Sequence, residues 1–363
     1  MDNQQRYIRQ MILPGFGLAA QGKLAKAKVL IVGIGALGCP ALQYLVGAGV
    51  GQIGMVDPDA ISESNLHRQL LYGQADIGKS KVAIAAGAMR LQNPAIKIKT
   101  YPVAIVRQNA LDLMKGYDLV IDATDNFQAK YLLNDAAAIL KIPLIYGAVT
   151  RYQGQVSVFH FPDQEGVSYN YRDLFPIEPA DNIAGSCESL GVIGVLPGII
   201  GCLQAAEAIK IITGIGRSLA GRLYTHDFLE TSNYEIAILK NEEVKPLTRE
   251  AFLITENQSS EYWEEIDVDE ITVDAFLKLK TKEQVFVLDV RESEEYPAID
   301  FSDAQIPMSE LIQKLDLLPN KEICVICHQG IRSVYAAQLI QAKKGLKTYS
   351  LKGGITAYFN KLT

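Results

Sequence analysis

Two groups of residues in this chain have the types and spacing to do chemistry. The first is Cys327-His328-Gln329-Gly330-Ile331-Arg332-Ser333. It follows the apolar run Ile323-Cys324-Val325-Ile326 and precedes a helix-like stretch from Val334 to Lys343. A cysteine therefore stands where a strand turns into a helix. Backbone N–H groups can curl around such a sulfur, and the helix dipole favours negative charge there. Arg332 adds a fixed positive charge. This environment suits a thiolate or a persulfide.

The second group begins at Gly33-Ile34-Gly35-Ala36-Leu37-Gly38, after the β-branched run Lys28–Val32. Asp57 ends the next expected strand, 19 residues beyond Gly38. This is a dinucleotide-binding layout, in which glycines let backbone approach phosphate. Alone, it fits an NAD-dependent oxidoreductase equally. The charges that follow shift the balance: Asp57-Pro58-Asp59, Asn65-Leu66-His67-Arg68-Gln69, Gly78-Lys79-Ser80-Lys81 and Asp122-Ala123-Thr124-Asp125-Asn126. A dinucleotide needs one acid for a ribose. Adenylyl transfer from ATP needs acids for ribose and Mg²⁺, and cations for the phosphates and the charge developing on pyrophosphate. Arg68, Lys81 and Asp125 supply those types. Asp122 and Asp125 end a strand, where open α/β sheets bind ligands.

Alternating elements must position these residues. Strands are expected at 28–32, 52–56, 96–102, 119–122 and 144–147. Helices are expected after Gly38 and over 81–93, 109–115 and 127–140, with an amphipathic helix and loop over 1–25. This alternation predicts an α/β fold with a Rossmann-like, doubly wound, mainly parallel sheet. Residues 151–161 and 221–240 read as an antiparallel extension, and Leu203 to Thr213 as a buried helix. Residues 256–270 carry seven acids and no Lys or Arg. The expected organisation is a nucleotide domain over 1–255, an acidic linker over 256–267 and a small α/β domain over 268–363.

The first domain resembles the MoeB/ThiF/HesA family of ubiquitin-activating-type adenylyltransferases over about residues 5–240. The resemblance is carried by Arg6-Tyr7-x-Arg9-Gln10, the glycine turn, Asn65-Leu66-x-Arg68-Gln69, Gly78-x-x-Lys81, Thr124-Asp125-Asn126 and the stretch Gly191 to Thr213. It implies Mg-ATP and adenylation of the C-terminal Gly-Gly carboxylate of a small ubiquitin-like protein. By position, Gly33, Gly35, Gly38, Asp57, Asp59, Asn65, Gln69 and Asn126 would line the nucleotide, with Asp59 and Asn65 near the ribose. Arg68 and Lys81 would hold phosphates and Asp125 would bind Mg²⁺. Arg9 matches an arginine that reaches into a partner subunit, which implies a homodimer. The alternatives on spacing alone are a solvated arginine for Arg9, an exposed first-turn lysine for Lys81 and a helix N-cap for Asp125.

The second domain resembles rhodanese-type sulfurtransferases, which carry sulfur as a cysteine persulfide. The residues are the Cys327 to Ser333 loop with Arg332, the pair in Leu288-Asp289-Val290-Arg291, and Lys352-Gly353-Gly354. The last should not be mistaken for a ubiquitin-like tail, because Ile355–Phe359 continues as helix.

The chain also departs from the first family. Many members carry two Cys-x-x-Cys pairs for structural zinc. Ser168-Tyr169-Asn170-Tyr171 stands in place of the first pair, and no cysteine lies near Asn241 to Pro246. The expectation is no structural zinc and a sheet edge held by packing alone, through the Tyr169 and Tyr171 rings. Cys187 falls where relatives have a cysteine on the loop crossing the active site, which in sulfur-carrier enzymes joins a covalent carrier intermediate. Cys39, Cys202 and Cys324 lie in apolar patterns and read as structural.

Joined, the two resemblances imply one reaction sequence. Mg-ATP adenylates a sulfur carrier, of the molybdopterin-synthase small-subunit type. A Cys327 persulfide, charged by a cysteine desulfurase or a small sulfane donor, then converts the adenylate to a thiocarboxylate with help from Cys187. A carrier for thiamine or tRNA thiolation would use the same chemistry. A dehydrogenase with a sulfur-handling domain and a non-catalytic scaffold are the other classes. The 363 residues are 48% hydrophobic and 21% charged, with net charge −6. This balance speaks against a nucleic-acid surface or a polybasic membrane patch. Five cysteines and no secretory leader pattern at Met1 to Arg6 give a cytoplasmic expectation.

Overall fold

A computed structural model describes residues 4–362 except 177, 179–190, 242–243, 246, 255–267, 283–284, 292–294, 296, 309 and 329. The described residues fall into two compact units, one up to Ile254 and one from Val268.

The first unit opens with helices α1 (Gln4–Met11) and α2 (Gly17–Lys26). They are separate because Pro14 and left-handed Gly15 and Gly17 break the chain between them. Then come β1 (Lys28–Val32), α3 (Gly38–Ala48), β2 (Gln52–Val56), α4 (Lys81–Gln92), β3 (Lys97–Tyr101), α5 (Arg107–Met114), β4 (Leu119–Asp122) and α6 (Phe127–Leu140). β5 (Leu144–Thr150), β6 (Gln153–Phe159), α7 (Val195–Thr213), β7 (Arg222–Asp227), β8 (Ser232–Ala237) and α8 (Arg249–Ile254) complete it. The sheet order is β3-β2-β1-β4-β5-β6-β7-β8. β1 to β5 are parallel, and β6 to β8 add an antiparallel extension. The mixed α/β expectation is met.

β1 shows why the sheet is buried on both faces. Val29 and Ile31 enter one core, with residues of α3, α4 and α7. Leu30 and Val32 enter the other, with Tyr131, Leu133 and Ala136 of α6. A continuous β-branched run is stable only under such double cover.

Two elements differ from expectation. α7 starts eight residues before Leu203, at Val195. Pro197 lies in its first turn, where a missing N–H leaves no bond unmade. Gly201 lets the helix rest on α3, since a Cβ there would stand 2.2 Å from the Leu37 carbonyl oxygen. Glycine and proline here serve packing rather than a break. α8 was not expected at all; its buried Phe252 lies 4.9 Å beneath the Arg107 guanidinium.

The antiparallel edge corrects the expectation of packing alone. Tyr171 does fill the core, ringed by Tyr131, Tyr146, Phe159 and Phe175 at centroid distances of 5.0, 5.3, 5.7 and 5.0 Å. Tyr169 stays at the rim, where its hydroxyl donates to Asp163. The rest is a polar clasp around Asp173, whose fully buried carboxylate accepts from Asn170 N at 2.7 Å, Lys240 Nζ at 2.8 Å and Asn241 N at 3.2 Å. It therefore ties the segment before the Tyr171–Leu174 turn to the chain beyond β8. Beside it, Arg172 pairs with Asp135, and Asn134 receives His160 Nε2 at 2.9 Å. Burial pushes the His160 imidazole down to about 4, so the neutral ring makes that bond.

The second unit contains β9 (Asp269–Ile271), α9 (Val273–Thr281), β10 (Phe286–Asp289), β11 (Ala304–Gln305), β12 (Ile323–Ile326), α10 (Ile331–Lys344), β13 (Thr348–Leu351) and α11 (Gly354–Leu362). Its sheet runs β11-β10-β12-β13-β9, parallel throughout. α11 confirms that Gly353-Gly354 enters a helix.

Replacing Asp173 with Ala removes the acceptor of two backbone N–H groups and the carboxylate partner of Lys240, whose ammonium keeps solvent and the Ser168 carbonyl. The expected loss is about 2–4 kcal/mol. Calorimetry of the full chain should show the first unit's transition lowered and the second unit's unchanged.

Candidate functional site

In the first unit, the strand order reverses between β1 and β4, so a crevice opens beyond their carboxyl ends. The glycine turn closes one side of it. Gly33 is left-handed, and a Cβ there would lie 2.6 Å from the Ala123 carbonyl oxygen. A Cβ on Gly38 would lie 2.0 Å from the Gly33 carbonyl oxygen. Both positions exclude any side chain, and this sets the first turn of α3 against the end of β4.

Asp57 is buried and braces that turn. Its Oδ2 accepts from Ile34 N at 2.7 Å and its Oδ1 from Asp59 N at 2.9 Å. Burial raises its carboxyl, and the Lys81 ammonium opposes that rise. Lys81 is itself only 6% exposed and donates to Asp59 Oδ2 at 2.7 Å. The reading of Lys81 as an exposed first-turn residue is therefore overturned. Asp59 leaves most of its carboxylate in solvent, facing outward from that pair.

Asn65 and Gln69 are buried beside this cluster, and Arg68 is half-buried with one guanidinium N–H on the Ser64 carbonyl at 2.8 Å. The Asn65 amide oxygen accepts from Ser62 N. Gln69 Nε2 lies 3.5 Å from the place of a Gly35 Cβ, and its buried Oε1 has no hydrogen-bond partner. An orphaned buried acceptor on a side chain that borders a bare glycine fits a ligand that brings its own donor.

Asp122 and Asp125 divide their work. Asp122 is buried, taking Thr124 Oγ1 at 2.6 Å and Lys130 Nζ at 3.2 Å. Asp125 is exposed, and no described residue bonds its carboxylate. The N-cap of α6 is Asn126, whose side chain accepts from Ala129 N at 2.9 Å, so Asp125 is not the cap. An outward carboxylate at a strand end can give Mg²⁺ one protein ligand, with nucleotide phosphates and water supplying the rest. Among the described residues no group of three or more His, Cys, Asp or Glu is placed to hold a metal. Arg9 is exposed on α1.

Sequence reasoning missed Lys130. Its ammonium also donates to the Thr124 carbonyl at 3.0 Å and the Gly147 carbonyl at 2.8 Å, which joins the chain just past β4 to the middle of β5. Its signal was a lone lysine on the buried side of an apolar helix. Gln204 adds a bond to the Asp122 carbonyl at 2.6 Å. An open groove of about 320 Å³ lies at the opposite ends of β2 and β3, lined by Tyr7, Leu18, Gly49, Gly51 and Ile96. None of the charged residues above lines it.

In the second unit, Cys327 follows β12 and its sulfur accepts from Gly330 N at 3.1 Å. Ser333 Oγ lies 3.4 Å from the same sulfur. Gly330 is left-handed, and a Cβ there would lie 2.7 Å from Gly353 N. Ile355 N and Thr356 N bond the Cys327 and His328 carbonyls at 2.9 and 3.1 Å, so the start of α11 holds the loop from behind. Arg332 is paired with Glu295, one arm at 2.7 Å. Asp289 grips the fully buried Arg291 through Nε and Nη2, at 3.0 and 2.7 Å. Asp289 is in register with Ile326, the residue before Cys327. This pair braces the loop's root as expected.

Cys187 lies outside the described residues. Burial pushes the Cys39 and Cys324 thiols up to about 12, and raises Cys202 as well. Such thiols are inert at neutral pH.

Residues 7–246 match the model of the ThiF family, and residues 272–361 match that of the rhodanese-like domain. A probable adenylyltransferase/sulfurtransferase MoeZ of Mycobacterium tuberculosis is 36% identical over 97% of this chain and 92% of its own length. The adenylyltransferase and sulfurtransferase MOCS3 of Drosophila grimshawi is 37% identical over 99% and 85%. A sulfur carrier protein adenylyltransferase of Thermus thermophilus is 47% identical over 65% of this chain and 88% of its own. Among solved structures, E. coli MccB shares the fold with a TM-score of 0.57 and 19% identity, covering 68% of this chain and 75% of its own. Two matched domains and relatives that pair them along their length lead to one conclusion: the chain belongs to the ThiF family and carries a rhodanese-like domain behind its adenylyltransferase-type domain.

Proposed function

We propose that this enzyme adenylates the C-terminal Gly-Gly carboxylate of a small sulfur-carrier protein and then converts it to a thiocarboxylate. The observation that carries this reading is the pairing, in one chain, of the Lys81–Asp59 and Asp125 crevice with the Cys327 sulfur cradle. The names of the full-length relatives support both activities. We assign the carrier to the molybdopterin-synthase small-subunit type; thiamine and tRNA-thiolation carriers are the alternatives.

The carrier carboxylate oxygen attacks the α-phosphorus of ATP, and pyrophosphate leaves. Arg68 and Lys81 stabilise the charge that builds on the phosphates. By the resemblance, Asp59 and Asn65 would hold the ribose. Mg²⁺, held by Asp125 together with the phosphates, would supply charge neutralisation. The terminal sulfur of a Cys327 persulfide attacks the acyl carbon, and AMP leaves. An acyl-disulfide now joins carrier and Cys327 Sγ. The Cys187 thiolate attacks Cys327 Sγ, and the thiocarboxylate leaves with the electron pair. The resulting Cys187–Cys327 disulfide is reset by a cellular dithiol, which is oxidised in turn.

We further propose a homodimer in which Arg9 enters the partner's crevice. Arg9 is exposed on α1, beside exposed Ile8 and Ile12. The free thiols of the described cysteines support a reducing, cytoplasmic setting. A cysteine desulfurase is the proposed sulfur donor.

The test is the intact mass of a Gly-Gly-ended carrier after incubation with enzyme, Mg-ATP and a persulfide donor. A gain equal to replacing one oxygen by sulfur is expected with the matching carrier, and the series of carriers separates the alternatives. Cys327→Ala should retain ATP–pyrophosphate exchange and yield no thiocarboxylate; full product from that variant would sink the mechanism. Lys81→Met should lower the exchange rate by about 10²-fold. Asp125→Asn should raise the Mg²⁺ concentration needed for half-maximal exchange.

A further inference from the structure

The cradle of Cys327 contains a second buried hydroxyl that neither its sulfur chemistry nor the loop motif assigns. Ser350, on β13, is in register with Val325, two residues before Cys327. Ser333 and Ser350 are both wholly buried. Their oxygens lie 2.9 Å apart, so one donates to the other. Ser333 Oγ also lies 3.0 Å from the Gly330 carbonyl oxygen and 3.4 Å from the Cys327 sulfur. Ser350 Oγ is 3.4 Å from the same carbonyl, a poor distance for donation.

Each hydroxyl has one proton, and this decides the arrangement. Ser350 has one near acceptor, Ser333 Oγ. If Ser350 donates there, the Ser333 proton must turn away from Ser350. It can then reach only the Gly330 carbonyl or the sulfur. With a thiol at Cys327, S–H donates to Ser333, and Ser333 donates to the carbonyl. When the sulfur carries negative charge, the Ser333 proton swings to it, and the carbonyl keeps its place at the first turn of α10. The chain Ser350–Ser333–sulfur is then polarised in one direction, which strengthens its last bond.

We propose that Ser350 is a positioning residue for the sulfur chemistry, committing the single Ser333 proton to the Cys327 sulfur in its charged state. This rests on the reading of Cys327 as the sulfur-carrying residue. The thiolate held in this way is the form of Cys327 that accepts a sulfane sulfur from the donor.

The charged groups of the segments next to Cys327 in sequence or sheet register are common to all the variants needed: Arg332 with Glu295, the Asp289–Arg291 pair, His328 and Lys352. The experiment is an ultraviolet thiolate titration of the full chain, taken as a difference against the same variant carrying Cys327→Ala. Ser333→Ala should raise the Cys327 midpoint by about one pH unit, the effect of one charge-assisted bond. Ser350→Ala should raise it by about half as much, through loss of cooperativity. Ser350→Thr, which keeps the hydroxyl, should restore the parent midpoint. In a Ser333→Ala background, Ser350→Ala should add nothing, because Ser350 acts through Ser333. If Ser350→Ala does not fold, Ser350→Cys keeps the shape with a weak donor and should raise the midpoint in the same way. An unchanged or lowered midpoint, or a shift that adds to that of Ser333→Ala, would overturn the proposal. The titration reads the sulfur itself, so it stands apart from the thiocarboxylate assay that tests the wider function.

Discussion

The nucleotide end of this protein depends on backbone approaching backbone with no side chain between. Gly33, Gly38 and Gly201 each meet a carbonyl closer than any Cβ permits. Together they lock the first turn of α3 between the end of β4 and the middle of α7. Every charged residue of the crevice is placed relative to that turn. Asp57 bonds Ile34 N inside it, Lys81 reaches Asp59 beside it, and Ala123 N bonds the Val32 carbonyl beneath it. A methyl group at Gly38 would displace α3 and carry this arrangement with it.

The sulfur end uses the same device on a smaller scale. Gly330 turns left-handed because Gly353 N occupies the space of a side chain. That turn aims Gly330 N at the sulfur. Behind it, α11 begins on the carbonyls of the loop, and Asp289 with Arg291 fixes the neighbouring strand end. Rigid elements therefore support both candidate sites from two sides, which is how a fold pre-organises a site.

Much of this was legible in the residues. β1, β2, β4 and β5 announced themselves because each is a short, largely apolar run in the buried body of the sheet, whereas the edge strand β3 alternates exposed lysines with a buried isoleucine. The glycine turn, Arg68, Lys81, Asp125 and Cys327 stood out because their residue types have few structural uses in that order. Other features were not legible, for physical reasons. The helix expected from Leu203 starts at Val195 instead, because the glycines and proline of its first half are ambiguous between helix ends and close helix packing. Lys130 is hidden because a buried ammonium is paired by carbonyls that any residues can supply. Ser350 is one serine in a strand, and only its register against Val325 gives it a neighbour of interest. The Asp173 clasp joins residues some seventy positions apart, a distance over which spacing carries no signal.

That clasp changes what the sheet edge responds to. A zinc knot is assembled by capturing an ion, and its integrity follows metal supply and thiol oxidation. A carboxylate holding an ammonium and two amides forms as the chain folds and has no sulfur to oxidise. In a sulfurtransferase, an edge without thiols is also an edge that offers no cysteine to reactive sulfur.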